Sequence, residues 1–137
     1  MSKAHKITDP SRSNATFAKI FNEGRDLDAW ISLYEPDAIL LGGPEPARGH
    51  DEIRRALTEL AKAPGELHSR VNFSEVNGDV AVTRADYQLV HEGKVLQEGS
   101  AIEVMHRQPD GRWLFTIDNP VGASAPSVFA NESRKDK

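Results

Sequence analysis

The chain contains no cysteine among its 137 residues. It therefore has no disulfide framework, no thiolate nucleophile and no cysteine-ligated zinc site. It also lacks an excess of basic residues, because its formal net charge at pH 7 is -4. Without a basic face to bind phosphate backbones, we expect no nucleic-acid partner. Nor does any apolar run approach the roughly 20 residues that cross a bilayer, so we expect no membrane partner.

The two ends of the sequence lack the patterns of ordered structure. Met1 to Ser13 has no apolar core of the kind that signal peptides carry. After Pro120 the composition shifts to Ala, Ser, Gly and Pro and then to a charged run. We therefore expect a cytoplasmic protein with a flexible N-terminus at residues 1–13, one domain at residues 14–120 and a flexible tail at residues 121–137.

The second half of the chain, from Leu67 to Asn119, reads as four β-strands separated by short turn signals. The signals are Asn77-Gly78, Glu92-Gly93 and Pro109-Asp110-Gly111. They supply residues that adopt positive φ or a pre-set φ, as tight reversals need. The pattern predicts an antiparallel meander.

The first half reads as three short amphipathic helices with one brief strand, Ala38 to Leu41, before the third. Gly24, Pro36 and Pro64-Gly65 mark the helix ends, and Asp26 is suited to cap the second helix. This order predicts an α+β fold with a cavity between the helices and the sheet. The apolar faces are Phe17, Ile20 and Phe21 in the first helix, Leu27, Trp30, Ile31 and Tyr34 in the second, and Ile53, Ala56, Leu57, Leu60 and Ala61 in the third.

Two stretches, Gly24 to Leu41 (GRDLDAWISLYEPDAILL) and Arg48 to Ile53 (RGHDEI), resemble the nuclear transport factor 2-like superfamily. Within it the chain is most similar to the SnoaL-like and ketosteroid-isomerase-like branch. The resemblance implies a cone-shaped α+β roll, with three N-terminal helices packed on a curved, mostly antiparallel sheet. It also implies a pocket open at one end and, in many members, a dimer formed through the outer sheet face. It implies no single reaction, since one fold hosts many chemistries.

The same resemblance argues against the classical ketosteroid isomerase mechanism. Those enzymes use a base aspartate after the first strand, a tyrosine on the first helix and an acid on a later strand. The three positions fall on Gly42, Phe17 and Glu103. Gly42 cannot accept a proton and Phe17 cannot donate one, so only the strand acid remains.

The register of the later strands decides which side chains face the cavity, because a shift of one residue exchanges the two faces. Counting back from the Pro109-Asp110-Gly111 turn places Glu103 inside. Counting forward from a two-residue Glu92-Gly93 loop places Ile102 there instead. A three-residue loop ending at Lys94, with a bulge, reconciles the counts, and we adopt it. The inner face is then Ala81, Thr83, Ala85, Tyr87, Ala101, Glu103, Met105, Leu114, Thr116 and Asp118.

The outer face in this register carries an apolar stripe of Val82, Ile102, Val104, Trp113, Phe115 and Ile117. Such a stripe is too large to leave in water, so we expect a homodimer through this face. The rival register buries the stripe beneath the helices and places Glu103 and Asp118 outside.

Glu103 and Asp118 are the candidate catalytic residues, because two acids in an apolar pocket can divide into a proton donor and an ionised base. The alternative is that one forms an ion pair with Arg84 or Arg70 and the other caps a strand end. The candidate ligand-binding residues are Phe17, Phe21, Trp30, His68, Tyr87 and Thr116. The five histidines show no metal-ligand spacing, so we expect no metal and no cofactor.

Together these patterns favour a protein that binds a small apolar or aromatic molecule in its cone. Any catalysis would be cofactor-free acid/base chemistry of the isomerase, cyclase or dehydratase kind. The alternative is a non-catalytic ligand-binding or dimeric assembly module, which the residues at Gly42 and Phe17 favour.

Overall fold

A computed structural model describes residues 5–122 and residue 129. Its six strands form one sheet in the order β2-β1-β6-β5-β4-β3, with β1 parallel to β6 and every other pair antiparallel. The expected α+β roll of three helices on a curved sheet is confirmed. The elements are α1 (Ser13–Asn22), α2 (Leu27–Ile31), β1 (Tyr34–Leu40), β2 (Ala47–Arg48), α3 (Gly49–Leu60), β3 (Glu66–Asn77), β4 (Val80–His91), β5 (Lys94–Arg107) and β6 (Trp113–Asn119).

The ends of α1 and α2 follow the predicted signals. Gly24 follows α1 with a φ of 129°, and the Arg25 amide then donates to the Ile20 carbonyl at 2.8 Å, which closes a Schellman-type cap. Asp26 caps α2 by accepting a hydrogen bond from the Ala29 amide at 3.2 Å. No helix in the described part of the chain is long and apolar enough to cross a membrane.

Tyr34 does not extend α2, and this prediction was wrong. The helix ends at Ile31, and Tyr34 opens β1, four residues before the expected strand. Tyr34 lies seven residues after Leu27, a spacing that fits the same face of a helix. Spacing alone cannot distinguish that position from the first residue of a half-buried strand. Pro36 is accommodated within β1 because the pairing with β6 is irregular between Tyr34 and Ile39.

Part of the N-terminal segment that we expected to be flexible packs against the fold, from Ile7 onward. Ile7 is buried in the core, and its carbonyl accepts the Trp113 amide at 2.7 Å. Asp9 then caps a short 3-10 helix, Pro10–Arg12, that leads into α1. Residues 1–4 of the expected flexible start lie outside the described residues, as does the expected tail apart from residues 121, 122 and 129.

The β4–β5 hairpin has a two-residue turn, not the three-residue loop that we expected. Glu92 and Gly93 both have positive φ, 52° and 77°, as a type I′ turn requires. The bulge lies further along, where Val90 pairs with Val95 but Leu89 pairs with Gln97. Leu96 is therefore the extra residue, and it restores the register that places Glu103 on the inner face.

A second bulge changes the face assignment of β6. Val104 pairs with Ile117 and Met105 pairs with Phe115, which leaves Thr116 as the extra residue. Trp113 and Phe115 are consequently buried in the core, so their expected place on the outer stripe was wrong. The outer face of the central strands keeps Val82, Ile102, Val104 and Ile117.

Arg25 joins the end of α3 to the α1–α2 corner. Its guanidinium donates to the carbonyls of Ala61 at 2.8 Å, Gly65 at 3.0 Å and Ala63. It also lies 3.9 Å above the centre of the Phe21 ring. This one side chain thus satisfies the carbonyl of the C-cap residue of α3, Ala61, and two carbonyls of the loop that follows, which would otherwise need water.

We expect Arg25→Ala to lower the free energy of unfolding by about 2–4 kcal/mol, since hydrogen bonds from a charged donor are worth roughly 1.5–3 kcal/mol each and only some are replaced by water. Urea denaturation measures the change. Arg55→Ala on the exposed face of α3 is the control and should stay within about 0.5 kcal/mol of the wild type. Equal stability of the two variants would contradict a structural role for the Arg25 contacts.

Candidate functional site

A cavity of about 250 Å³ lies between the helices and the inner face of the sheet. Its wall is mainly apolar, and the polar side chains are few and come from α1, β1, β3, β4, β5 and β6. Such a surface is typical of a small-molecule site. The apolar lining is Phe17, Phe21, Leu40, Leu41, Ala56, Leu57, Leu60, Leu67, Leu89, Ala101, Pro120 and Val121, and the polar lining is Asn14, Tyr34, Ser69, Tyr87, Gln97, Glu103 and Asp118.

Glu103 and Asp118 are directly opposite each other on β5 and β6. Both line the cavity, and they are only 3% and 5% exposed. The rival register, which placed them outside, is therefore wrong. Neither acid pairs with a cation in the described part of the chain, and Arg84 instead lies 3.6 Å from Asp86. The two acids thus sit together in an apolar surrounding without a counter-ion.

Each acid accepts one hydrogen bond from a neutral side chain. The Asn14 amide donates to Oε1 of Glu103 at 2.8 Å, from the first turn of α1. The Tyr34 hydroxyl donates to Oδ2 of Asp118 at 2.6 Å, and the Tyr34 ring packs on Phe115 with 5.1 Å between ring centres. Bonds of this kind hold the carboxyl groups in place without neutralising them.

Burial is the main cause of the altered acidity of both groups. It raises the pKa of Asp118 to about 6, although the Tyr34 hydrogen bond opposes the shift. Burial and the neighbouring Asp118 charge raise the pKa of Glu103 well above its ordinary value, against the opposing effect of Asn14. Both groups therefore hold a proton more readily than an exposed acid does, and a negative charge on one makes ionisation of the other harder. Two carboxyl groups with raised pKa values stand side by side.

The hydroxyl of Tyr87 is a further polar group in the cavity wall. It is buried and makes no hydrogen bond of normal geometry among the described residues. Burial raises the pKa of this phenol, the neighbouring Gln97 amide lowers it, and the Asp118 charge raises it again. A buried hydroxyl without a partner is uncommon, and it is available to a bound molecule.

Five of the eight predicted site residues line the cavity, namely Phe17, Phe21, Tyr87, Glu103 and Asp118. Trp30 does not line the cavity, and its ring instead stacks on that of Phe17, which does, with 5.3 Å between centres. His68 lies on β3 with its side chain 57% exposed and is not part of the lining. Thr116 is the bulged residue of β6 and also lies outside the lining. Its expected inward direction assumed an unbroken alternation along that strand.

Four polar lining residues were missed by the sequence reasoning: Asn14, Tyr34, Ser69 and Gln97. Asn14 precedes Phe17 and Phe21 at helical spacing, so extending that face back by one turn would have found it. Tyr34 was assigned to α2. Gln97 follows the Leu96 bulge, and no sequence signal marks that position. In the part of the chain that is described, no three acidic or histidine side chains cluster to hold a metal ion.

The sequence model of the SnoaL-like domain family matches residues 15–116. No curated protein sequence matches the chain significantly. Among solved structures, a calcium/calmodulin-dependent protein kinase type II association domain from Thiobacillus denitrificans gives a TM-score of 0.69 at 16% identity, covering 88% of this chain and 99% of that one. A protein from Parabacteroides distasonis that is named as a ketosteroid isomerase gives a TM-score of 0.63 at 19% identity, covering 80% of this chain and 81% of that one.

A protein of unknown function from Mycobacterium tuberculosis gives a TM-score of 0.66 at 22% identity, covering 78% of this chain and 69% of that one. At such identities the likeness concerns the fold alone. The names of these structures include an association domain and an isomerase. Any chemistry therefore depends on the side chains in the cavity.

The raised pKa values predict that stability falls with rising pH. Between the ordinary pKa of 3.8 and about 6, Asp118 binds more protons in the folded chain than in the unfolded chain, so raising the pH through this range lowers the stability, and the loss persists at higher pH. Asp118→Asn removes one such group, and we expect it to be more stable than the wild type at pH 8 by roughly 1–3 kcal/mol.

Urea denaturation at pH 5, 6.5 and 8 measures this effect. The wild type should lose more stability than Asp118→Asn over the interval. Asp86→Asn, a change at an exposed position of β4, should keep the wild-type slope above pH 5 because the pKa of Asp86 is lowered by its hydrogen bonds to Ser100 and Asn72. Parallel profiles for the wild type and Asp118→Asn would show that Asp118 does not titrate abnormally.

Proposed function

The chain belongs to the SnoaL-like domain family, and from this premise we propose that its cavity binds a small, largely apolar or aromatic molecule and performs cofactor-free proton transfer on it. The observation that carries the proposal is the Glu103–Asp118 pair, which lies at the wall of an apolar cavity without a cation among the described residues and in which burial raises both pKa values. A general acid and a general base with pKa values displaced from the ordinary range are what such catalysis requires.

The roles of the two acids follow from their surroundings. Asp118, ionised above about pH 6, accepts a proton from the bound molecule. Glu103, whose pKa is raised well above its ordinary value, donates a hydrogen bond in its protonated form to an oxygen atom of that molecule on which negative charge develops. Tyr34 and Asn14 are positioning residues that fix the two carboxyl groups through the hydrogen bonds described above. The Tyr87 hydroxyl orients the bound molecule.

The proposal can be tested with an uncharged aromatic ketone, 2-tetralone, whose hydrogens next to the carbonyl exchange when a base removes them. Proton NMR in deuterium oxide follows the exchange. We expect the wild type to accelerate it over buffer, and Asp118→Asn and Glu103→Gln each to lower the rate by about 10²–10⁴-fold while binding changes little. Asp86→Asn and Glu98→Gln make the same substitutions at exposed positions of β4 and β5 and should keep the wild-type rate.

A non-catalytic binding module is the second candidate function. It is favoured by Gly42, which lines the cavity but has no side chain, and by Phe17, which cannot donate a proton. In that case 2-tetralone would bind without any acceleration of exchange, and Glu103→Gln and Asp118→Asn would keep full binding. That result would remove the catalytic part of the proposal.

We further propose that the chain forms a homodimer through the outer sheet face. Val82, Ile102, Val104 and Ile117 share that face, and Ile117 is 38% exposed. Apolar area buried between two copies stabilises the pair by roughly 25 cal/mol per Å². A contact surface built from the same patch on both copies is the usual arrangement of a twofold dimer.

Val104→Asp should convert the dimer into a monomer, because each interface would bury two unpaired carboxylates. Sedimentation velocity at micromolar concentration measures the assembly. Val95→Asp, in the exposed β4–β5 hairpin, is the matched control and should remain dimeric. A monomeric wild type would contradict the proposed dimer.

A further inference from the structure

The cavity has an unbalanced charge. Two carboxyl groups line it, yet among the residues that the structure describes none of the lining side chains is Lys, Arg or His. Arg25 contacts Phe21 from outside the lining, and its guanidinium is already bound by the carbonyls of Ala61, Ala63 and Gly65. A buried negative charge without a cation is costly, so a ligand that brings a positive charge would be favoured.

The carboxyl groups also keep unused hydrogen-bonding capacity. Only Oε1 of Glu103 and Oδ2 of Asp118 accept the two hydrogen bonds found in the described part of the chain. The other oxygen of each acid receives none from it, although both side chains are more than nine-tenths buried. Since an ionised carboxylate can accept about four hydrogen bonds, the pair can receive several more from a bound donor.

Aromatic rings provide an independent argument for a cation. Phe17, Phe21, Tyr34 and Tyr87 all line the cavity. The face of an aromatic ring carries partial negative charge and attracts ammonium groups within about 6 Å, most strongly when water is excluded. An acid pair in a cavity lined by four aromatic rings is suited to an ammonium ion and unsuited to a carboxylate or a phosphate.

We propose that the ligand of this cavity is a small apolar or aromatic primary amine, bound as its ammonium ion by the Glu103–Asp118 pair and the surrounding rings. This inference rests on the binding function proposed above and specifies the class of molecule bound. The cavity, at about 250 Å³, is below the roughly 300–1,000 Å³ common for drug-sized ligands, which favours a molecule of one or two rings.

The proposal gives the amine a distinctive dependence on pH. The titratable groups that face Asp118 are Glu103 from β5, Tyr34 from β1 and Tyr87 from β4, while α1 and α3 contribute only uncharged side chains to the lining. Acidification below about pH 6 neutralises the pair, so it should weaken the binding of an ammonium ion and leave an uncharged analogue unaffected.

Three probes of similar shape test the charge: 2-phenylethylamine, 2-phenylethanol and phenylacetate. Isothermal titration calorimetry at pH 7.5 and pH 5 measures their affinities for the full chain. At pH 7.5 we expect the amine to bind at least tenfold more tightly than the alcohol and phenylacetate not to bind measurably. At pH 5 the affinity for the amine should fall at least fivefold and that for the alcohol should change less than twofold.

The Asp118→Asn variant should lose the preference for the amine while still binding the alcohol, and Asp86→Asn should behave like the wild type. If Asp118→Asn fails to fold, the pH comparison on the wild type decides the question. Tighter or equal binding of the alcohol would overturn the amine proposal but leave the binding function standing. Failure of all three probes and of 2-tetralone to bind would overturn both.

Discussion

A regular β-strand presents every second residue to the same face, yet β6 must turn both Phe115 and Asp118 inward, three positions apart. The bulge at Thr116 resolves this conflict by shifting the alternation by one residue. On one side of it Trp113 and Phe115 complete the core, and on the other side Asp118 reaches the cavity. Both the core and the candidate site depend on that one-residue shift in the alternation of β6.

The electrostatics of the site follow from the pairing that the bulge allows. Because Asp118 lies opposite Glu103, two acids share one apolar cavity wall, and burial raises the pKa of each. The side chains that hold them come from distant parts of the sequence, Asn14 from α1 and Tyr34 from β1. The arrangement therefore exists only in the folded chain. The acidity of the pair is set by its surroundings, more than by the identity of the acids.

Much of the architecture could be predicted because it depends on local signals. Gly24, Asp26 and the three turn motifs have conformational preferences that act over a few residues. The inward position of Glu103 was predicted by counting from the Pro109-Asp110-Gly111 turn, close to it in sequence. A bulge beside the β4–β5 turn was expected from the two disagreeing counts, but its position at Leu96 and the second bulge at Thr116 could not be predicted, since no local preference marks either residue.

The candidate site was predictable only in part, for the same reason. Phe17 and Phe21 were found through helical spacing, whereas Tyr34 was missed because its position fits a helix as well as the start of a strand. Trp30 was expected at the cavity because it shares a face with other apolar residues. Sequence spacing identifies a buried face, but it cannot show that Phe17 lies between Trp30 and the open space.

The extra residue at Leu96 has a consequence for how this hairpin can change in length. The two faces of β5 have different surroundings. Ala101, Glu103 and Met105 are buried on the inner face, and Ile102 and Val104 lie on the outer face. The Glu92-Gly93 turn is already as short as a hairpin turn commonly is, so it cannot absorb a loss. An insertion or deletion of one residue would exchange the faces, whereas a change of two would preserve them. Changes in the length of this hairpin therefore keep the register only in steps of two residues, and the bulge at Leu96 decides which residues of β5 face inward.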